Sequence, residues 1–502
     1  MNVVLVLIDS LNRSSLSAYG PSEIATPNLD TFARRAWRFD NHFAGSLPCV
    51  PARRDIFAGF KEVLWRPWGP LEPFDDRLPS LLSAQGYRTG IVTDHHHYWA
   101  EAGNGYIQSF QSAKLIRGHA VDYWEPPTPA DEPVPPWVDN IAAWRPPAAG
   151  RRYYANVKDF QSEEDFFAAR VFSEGAQWLR DHGGHAPFFL QVESFDPHEP
   201  FHVPEPYASM YGDPSGYDKF TVWPPYQNPQ RLREFMAQVS PEELAFIRAQ
   251  YAGKITMVDR WFGELIATIE EMDLWDDTMV IVTTDHGHDL GEREAFGKQH
   301  PHFDSHANIP LFIWHPEYPG NGGAVPGLTS TVDLFATTLE TAGVPVPART
   351  HSRSILPHLS GAAPETHSAV LYGSFGQGLC CTDGDWTLLK APERDGPLYA
   401  YSSMQFRSLV FDSLAPPVGS GRFIPGVDLP QWQIPLDSSR ALTTAMLSRD
   451  DFLFNRREDP GQTRNLWDSE PDQRRRMLEV MRTLMASEGA PLEQYERLGV
   501  PG

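Results

Sequence analysis

The sequence has few cysteines, a deficit of positive charge and no long apolar run, and each shortage excludes a class of protein. Three cysteines in 502 residues cannot form a disulfide framework, which predicts a reducing compartment, the cytoplasm. The chain carries 42 Lys and Arg against 65 Asp and Glu, which argues against nucleic acid or an anionic membrane as a partner. An anionic substrate would therefore need a local pocket of positive charge, supplied by a metal ion or by a few Lys, Arg and His side chains.

No stretch of the sequence approaches the roughly 20 apolar residues that a membrane-spanning helix requires. The apolar N-terminal run, residues 1–10, has no basic residues before it and no cleavage site after it, so we interpret it as a buried strand rather than a secretory signal. We therefore expect neither a membrane nor a nucleic acid among the partners. The sequence leaves formation of a homo-oligomer open.

Short β-rich runs alternate with helical patterns along residues 1–365. This alternation predicts an α/β domain with a mostly parallel sheet and helices on both faces. Helix starts are indicated by Thr26 before Pro27 and by Ser240 before Pro241, where the second helix runs to about Leu274. A further helix over 331–342 ends at Gly343. The predicted strands are 2–8, 88–93, 187–195, 278–284 and 310–314.

The pattern changes near residue 365. Residues 366–502 are predicted to form a smaller C-terminal α+β domain, with antiparallel strands followed by a helix near 471–487. Residues 120–160 are rich in proline and cannot form a central element. They form either a linker-like excursion or an ordered lid, and three tryptophans, Trp124, Trp137 and Trp144, favour the lid.

Acid and histidine clusters follow four of the predicted strands. In an open parallel sheet, ligands bind beyond the carboxyl ends of the strands, so these clusters should meet at one rim. The clusters contain no Lys or Arg that would form ordinary ion pairs, which favours a functional rim over polar loops. They are Asp9, residues 94–97 (DHHH), residues 196–198 (DPH) and residues 285–289 (DHGHD).

Cys49 is followed by Pro51 at the second position and by Arg53 at the fourth. Pro51 suits the first turn of a helix, which places Cys49 at or just before the helix N-terminus, where partial positive charge favours an anion. On this evidence alone, Cys49 is a candidate thiolate nucleophile.

The run CVPARRDIFAG resembles the signature of type I sulfatases, in which the cysteine is oxidised after synthesis to formylglycine. Matches to other sulfatase motifs follow in order along nearly the whole chain. The resemblance identifies the chain as a member of the formylglycine-dependent group of the alkaline phosphatase superfamily, and it implies the alkaline-phosphatase-like α/β fold. The matching segments are NVVLVLIDS, GYRTGIVTDHHHYW, PFFLQVESFDPHEPF, VIVTTDHGHDLGEREAFGK and LFNRREDPGQTRNLWD.

The resemblance implies that Cys49 becomes a hydrated aldehyde, which requires a formylglycine-generating system. One hydroxyl of the hydrate attacks sulfur or phosphorus, and the second then expels the bound anion. One divalent cation assists, with Asp9, Asp285, His286 and the modified Cys49 as ligands and Ser10 as a secondary candidate. The oxygen-rich remainder of the site favours Ca²⁺, whereas the nitrogen ligand at His286 broadens the choice toward Mn²⁺ or Zn²⁺; Ca²⁺ is the expected ion and Mn²⁺ the alternative.

The same resemblance assigns catalytic roles to five residues. Cys49 provides the nucleophile, Arg53 holds the formylglycine hydroxyl, and His198 and Lys298 bind the oxygens of the sulfate. His96 corresponds to the histidine beside the formylglycine, although on a strand-like path the flanking His95 and His97 would share the opposite face.

Three departures from the family pattern alter the substrate-anion pocket. Ser10 stands where many sulfatases have a second aspartate, and Asp94 or Thr93 stands where they have a lysine. Arg293 replaces a histidine, and its charge either returns to the pocket or faces solvent.

The expected function is hydrolysis of the sulfate monoester of a small anionic molecule. Phosphonate monoester or phosphodiester hydrolysis with the same nucleophile is the alternative, because both kinds of substrate carry a single negative charge. A non-catalytic member would be expected to lack Cys49, Asp9 or Asp285, and all three are present. The leaving alcohol is open.

Overall fold

The computed structural model describes residues 1–100, 103–185, 187–225, 229–362, 365–404, 415–437 and 446–500. The strands of these residues are β1 Asn2–Ile8, β2 Trp37–Phe43, β3 Ser46–Leu47, β4 Arg88–Thr93, β5 Ser112–Leu115, β6 Phe188–Ser194, β7 Thr278–Thr283, β8 Asp289–Leu290, β9 Phe296–Gly297, β10 Leu311–Trp314, β11 Ala324–Ser330, β12 Val370–Ser374, β13 Leu379–Thr382, β14 Trp386–Lys390, β15 Tyr399–Ser402, β16 Gly419–Gly421, β17 Gln431–Pro435 and β18 Phe452–Asn455. The α-helices are α1 Pro27–Arg35, α2 Cys49–Ala58, α3 Leu78–Ala84, α4 Pro136–Ala142, α5 Pro147–Val157, α6 Phe167–His182, α7 Tyr207–Met210, α8 Pro229–Gln238, α9 Pro241–Glu271, α10 Asp304–Ala307, α11 Asp333–Thr341, α12 Leu356–Leu359, α13 Pro471–Ser487 and α14 Leu492–Leu498.

A central sheet of eight strands has the order β11-β2-β10-β7-β1-β6-β4-β5. Only β10 is antiparallel to its neighbours, so five of the seven strand pairs are parallel. Every residue of β1, β6 and β7 is buried, which explains why these strands are nearly continuous apolar runs in the sequence. The predicted mostly parallel sheet is confirmed, and each of the five predicted strands is present to within one residue at either end.

Helices cover both faces of this sheet, as predicted. Alternate side chains of β1 point into two separate hydrophobic clusters, because successive residues of a strand face opposite sides. Val4, Val6 and Ile8 pack in the cluster that includes α1, α6 and α9. The intervening residues of β1 pack in the cluster that includes α2, α3 and α11. The region is therefore a three-layer α/β arrangement, as expected for the alkaline-phosphatase-like fold that the sequence resemblance implies.

Local signals define several helix ends. The hydroxyl of Ser240 accepts a hydrogen bond from the backbone N–H of Glu243 and so caps α9, which ends at Glu271 rather than at the expected Leu274. Helix α2 ends at Gly59, whose φ of +63° lies in the left-handed region. This glycine terminates the helix that presents Cys49.

The C-terminal region contains the antiparallel strands and the helix that the sequence predicted. Strands β12, β13, β14 and β18 form one antiparallel sheet, and α13 begins at the predicted residue 471. A short strand of the N-terminal region, β3, is added to this sheet parallel to β12. Since β3 directly precedes Cys49, the smaller sheet supports the start of α2, and a domain boundary near residue 365 stays a prediction.

The proline-rich segment 120–160 contains helices α4 and α5. Trp137 is buried and stacks on His202 with the ring centroids 4.8 Å apart, and Trp144 packs against Phe235. Trp124 is 55% exposed. The segment is thus an ordered excursion that packs on the main core, and its function as a lid stays a prediction. Among the described residues, none of the helices combines the length and the apolar character that crossing a membrane requires.

Candidate active site

The carboxyl ends of β7, β1, β6 and β4 meet at one edge of the sheet, because these four strands are consecutive neighbours and parallel. The residues that follow them are in contact across the rim. The backbone N–H of Ser10, after β1, donates to Asp285 Oδ1 at 3.2 Å, after β7. The Nε2 atom of His95, after β4, lies 3.8 Å from Asp9 Oδ2. The backbone N–H of Phe195, after β6, donates to Asp94 Oδ1 at 2.6 Å, so the segments that follow all four strands meet at one rim.

Asp9, Cys49, Asp285 and His286 are buried, and each offers a ligand atom within 4.8 Å of the others. Nε2 of His286 lies 3.2 Å from Cys49 Sγ and 3.3 Å from Asp285 Oδ2. Nδ1 of the same ring lies 2.9 Å from the carbonyl of Gly287 and donates to it, so Nε2 carries the lone pair that a cation would take.

The two carboxylates of this cluster, Asp9 and Asp285, repel each other. Burial raises the pKa of Asp9 well above its ordinary value, and the charge of Asp285 adds to the rise. A divalent cation relieves both the burial penalty and the repulsion, so the donor set of two carboxylates, an imidazole and a position for a further oxygen fits such an ion.

Cys49 is the first residue of α2, as expected from Pro51 in the first turn. Burial raises the pKa of the Cys49 thiol well above its ordinary value, and the carboxylates of Asp9 and Asp285 oppose the contribution of Lys298. The unmodified thiol is therefore protonated at neutral pH, and this environment does not favour the alternative in which Cys49 acts as a thiolate.

Arg53 lies one helical turn after Cys49 and is completely buried. Its Nη2 donates to Asp9 Oδ2 at 2.8 Å, its Nη1 to Asp285 Oδ2 at 2.5 Å, and its Nε to Glu193 Oε1 at 2.7 Å. Nη1 also donates to the carbonyl of Cys49 at 3.0 Å. Arg53 thus ties the start of α2 to the ends of three strands.

Ser10 has a φ of +61°, a conformation that non-glycine residues rarely adopt and that is concentrated at functional sites. Its hydroxyl donates to Asp9 Oδ1 at 2.7 Å and accepts from Lys298 Nζ at 3.2 Å. Ser10 therefore orients the Asp9 carboxylate and links it to Lys298.

Lys298 and His198 approach the same site from two loops. Lys298 follows β9, and its Nζ lies 3.7 Å from Cys49 Sγ. His198 stacks on Phe195, and its Nδ1 donates to the carbonyl of Glu199 at 2.8 Å, which leaves Nε2 as the remaining ring nitrogen. Burial lowers the pKa of His198 well below its ordinary value, so the ring is neutral.

His95 and His97 face the site. His95 is completely buried beside Asp9, and burial followed by the charge of Arg53 lowers its pKa. The pKa of His97 is lowered by burial, by its histidine neighbour and then by Arg53 and Lys298. The centroids of these two rings are 5.3 Å apart.

His96, the histidine that the resemblance favoured, faces different partners. Burial lowers its pKa to about 3, and the charges that act on it are those of His119, Asp122 and Arg117. Residues 96–99 form a 3₁₀ turn after β4, so no strand-like alternation sets these side chains; His96 lies among His119, Asp122 and Arg117, and His95 is the histidine beside Asp9.

The substituted positions bring no additional cation to the cluster. Asp94 Oδ1 accepts from the backbone N–H of Phe195 at 2.6 Å, and the hydroxyl of Thr93 accepts from the backbone N–H of His95. Arg293 is bound to Asp289 Oδ1 at 2.7 Å, so its charge is paired within its own loop. Of the two expectations for Arg293, the exposed position that the structure gives it agrees with a residue that faces solvent, where it also pairs with Asp289.

Two buried acids of the site were not singled out by sequence reasoning. Glu193 lies inside a central strand, and its signal was the presence of a charged residue in the apolar run FFLQVES. Glu199 Oε2 lies 3.3 Å from His198 Nδ1 and 3.1 Å from His288 Nε2. Although burial raises it, the pKa of Glu199 is held well below its ordinary value by His198, Lys298 and His288. Glu199 is thus an ionised carboxylate that lies beside the neutral ring of His198.

Known proteins resemble this chain in sequence and in fold. The family model described as Sulfatase matches residues 1–344. The multifunctional alkaline phosphatase superfamily protein PehA of Trinickia caryophylli is 26% identical over 414 residues, covering 74% of this chain and 80% of that protein. The choline-sulfatase of Rhizobium meliloti is 26% identical over 361 residues, or 68% of each protein. The crystal structure of the phosphonate monoester hydrolase of Agrobacterium radiobacter superposes with a TM-score of 0.64 at 22% identity, covering 98% of this chain and 96% of that one, which supports the fold.

Proposed function

Because the chain belongs to the sulfatase family and is therefore a hydrolase of ester bonds, we propose that it hydrolyses sulfate monoesters with a nucleophile derived from Cys49. The observation that carries the proposal is the convergence of Cys49, Asp9, Asp285 and His286 within 4.8 Å of one another. An ordinary buried cysteine has no need of two carboxylates, a lysine and an arginine around it.

The ligands of a divalent cation would be Asp9, Asp285, His286 and the side chain at position 49. Ser10 acts on the cation indirectly, since its hydroxyl bonds to Asp9. Bound there, the cation supplies Lewis acidity toward the oxygens of the ester and of the nucleophile. Ca²⁺ is the proposed ion and Mn²⁺ the alternative, because a nitrogen ligand at His286 suits the second ion.

We propose that Cys49 is converted to formylglycine by a separate maturation system, and that the hydrated aldehyde supplies the attacking oxygen. The position of Cys49 at the N-terminus of α2 favours a developing negative charge on that oxygen. Arg53 would hold the same group, because its guanidinium already bonds to the Cys49 carbonyl and to both carboxylates.

The sulfate would be bound by Lys298, His198, His95 and His97. Lys298 supplies the positive charge that an acidic protein needs locally to hold an anion. The neutral imidazoles offer hydrogen bonds without adding charge, which suits a substrate with a single negative charge. His96, in contrast, has no part in this proposal.

Phosphonate monoester or phosphodiester hydrolysis is the second candidate. One observation favours it: the similarity of the fold to that of a phosphonate monoester hydrolase. The sulfatase assignment takes precedence because the family model that matches the chain is that of the sulfatases.

Three finer features are also proposed. The free, buried cysteines are consistent with the cytoplasm. Residues 1–365 would form the catalytic domain and residues 366–502 a smaller one. Residues 120–160 would act as a lid, because Arg145 of this segment lies 3.7 Å from Glu199 beside His198.

The test is a panel of aryl sulfate, aryl phosphonate monoester and phosphodiester substrates, assayed on protein of known aldehyde content. Mass spectrometry of the peptide that contains Cys49 measures that content, because conversion to formylglycine lowers the mass by about 18 Da. We expect turnover of the aryl sulfate in proportion to the aldehyde content. Turnover of only phosphonates and phosphodiesters would replace the first candidate with the second, and activity in protein without aldehyde would leave the thiol as the nucleophile.

A further inference from the structure

Glu193 is a buried charge in the middle of the central sheet. It lies opposite Leu7 of β1 and Thr93 of β4, between two parallel neighbours, and its side chain is completely buried. Burying an ionised carboxylate costs several kcal/mol unless charged partners offset the penalty. A residue of this kind in an otherwise apolar strand indicates a purpose other than packing.

The partners of Glu193 identify that purpose. Oε1 accepts from Arg53 Nε at 2.7 Å. Oε2 accepts from the hydroxyl of Tyr98 at 2.9 Å and from Nε2 of Gln191 at 2.9 Å. The carboxylate is therefore fixed by neutral donors on one oxygen, and among the described residues the cationic group that it contacts is Arg53.

Arg53 also bonds to the two carboxylates that are the proposed cation ligands. Its Nη2 donates to Asp9 Oδ2 and its Nη1 to Asp285 Oδ2, and these are oxygens that a bound cation would use. A cation and the guanidinium therefore compete for the same negative charge. The competition is eased if Arg53 has a counter-charge of its own that lies outside the ligand cluster, and Glu193 is that group.

We infer that Glu193 is a positioning residue that holds Arg53 by Nε and thereby leaves Asp9 and Asp285 available to a divalent cation. The inference rests on the proposed function, since it concerns the same cation. Removal of the Glu193 charge should weaken binding of the divalent cation, for two reasons. It lowers the negative charge near the cation, and it leaves Arg53 dependent on Asp9 and Asp285 alone.

The test is calorimetric titration of Mn²⁺ into chelator-treated protein, which measures binding without any assay of activity. Glu193→Gln keeps an acceptor for Arg53 Nε but removes the charge. Loss of a group that supports metal ligands without binding the metal commonly weakens affinity by about 10- to 100-fold, and we expect a change of this size. Tyr98→Phe is the matched control, because it removes one hydrogen bond to Glu193 and keeps the charge, so its affinity should stay within about threefold of the wild type.

Glu193→Asp is the second variant, in case the amide does not fold. It draws the carboxylate back from Arg53 by one methylene, and we expect about a three- to tenfold loss of Mn²⁺ affinity. Circular dichroism and thermal unfolding without Mn²⁺ establish which variants are folded. Wild-type affinity in every folded variant at position 193, or equal losses in E193Q and Y98F, would overturn the inference. Absence of binding of both Mn²⁺ and Ca²⁺ by the wild type would instead overturn the proposed cation site.

Discussion

Replacement of Lys298 by alanine tests the anion pocket most sharply. The ammonium lies 3.7 Å from Cys49 Sγ, the atom that marks the position of the proposed nucleophile, so it is within one hydrogen bond of an ester held there. Two unit charges about 4 Å apart interact by about 4 kcal/mol at the effective dielectric of a protein site.

Part of this interaction is already offset by the carboxylate of Asp9, which Lys298 reaches through Ser10. The remaining contribution resembles that of a single donor to a developing oxyanion, whose removal costs about 2.7–4 kcal/mol, or a 10²- to 10³-fold loss of kcat. Because the offset by Asp9 reduces the gain, we expect kcat/KM of Lys298→Ala to fall by about 10²-fold, at the lower end of this range.

The assay is aryl sulfate hydrolysis by variant and wild type with equal aldehyde and cation content. Lys114→Ala is the matched control, since its side chain is 55% exposed and its nearest carboxylate, Glu174, is 3.8 Å away. We expect the control to stay within about twofold of the wild type. A K298A protein as active as K114A would refute the assignment of Lys298 to the substrate anion.

Two further predictions concern the support of helix α2. Burial raises the pKa of Asp55 to about 8, so the protonated carboxyl is favoured in the folded state. The stability that this group contributes is complete below the unfolded pKa of 3.8 and is lost as the pH rises toward 8, by on the order of 1.4 kcal/mol per pH unit. Asp55→Asn should therefore gain thermal stability relative to the wild type between pH 5 and pH 8, and a difference independent of pH would contradict this. Gly59→Ala should lower the unfolding midpoint more than Gly343→Ala, by an amount equivalent to about 1–3 kcal/mol. Both glycines have positive φ, but only at Gly59 would a Cβ collide with a neighbouring side chain, the ring of Phe335. Equal losses of stability in the two variants would exclude the steric explanation.

The sequence predicts the centre of the fold better than its edges. Strands β1, β6 and β7 are buried on both faces, so their apolar runs are unmistakable. Strands β2, β5 and β11 lie toward the edges and carry polar or charged residues, and no periodicity distinguished them from loops.

The sequence indicated those site residues that belong to recognisable motifs, but not those whose role depends on tertiary contacts. Cys49, Asp9, Asp285 and His286 belong to local patterns at strand and helix ends, and they converge as expected. The face that each residue of 95–97 presents depends on how the chain leaves β4, which composition does not specify. The proposed role of Glu193 depends on its contact with Arg53, which is 140 residues away along the chain, so the local sequence does not indicate it.

The central claim is that Asp9, Asp285 and His286 hold one divalent cation beside position 49. A crystal structure of the protein grown with Mn²⁺, with anomalous scattering recorded near the manganese edge, measures this directly. We predict one strong anomalous peak within about 2.6 Å of a carboxylate oxygen of each aspartate and of Nε2 of His286. A fully occupied Mn²⁺ at another position, or a cluster in which Arg53 remains bound to both carboxylates and no peak is present, would contradict the account.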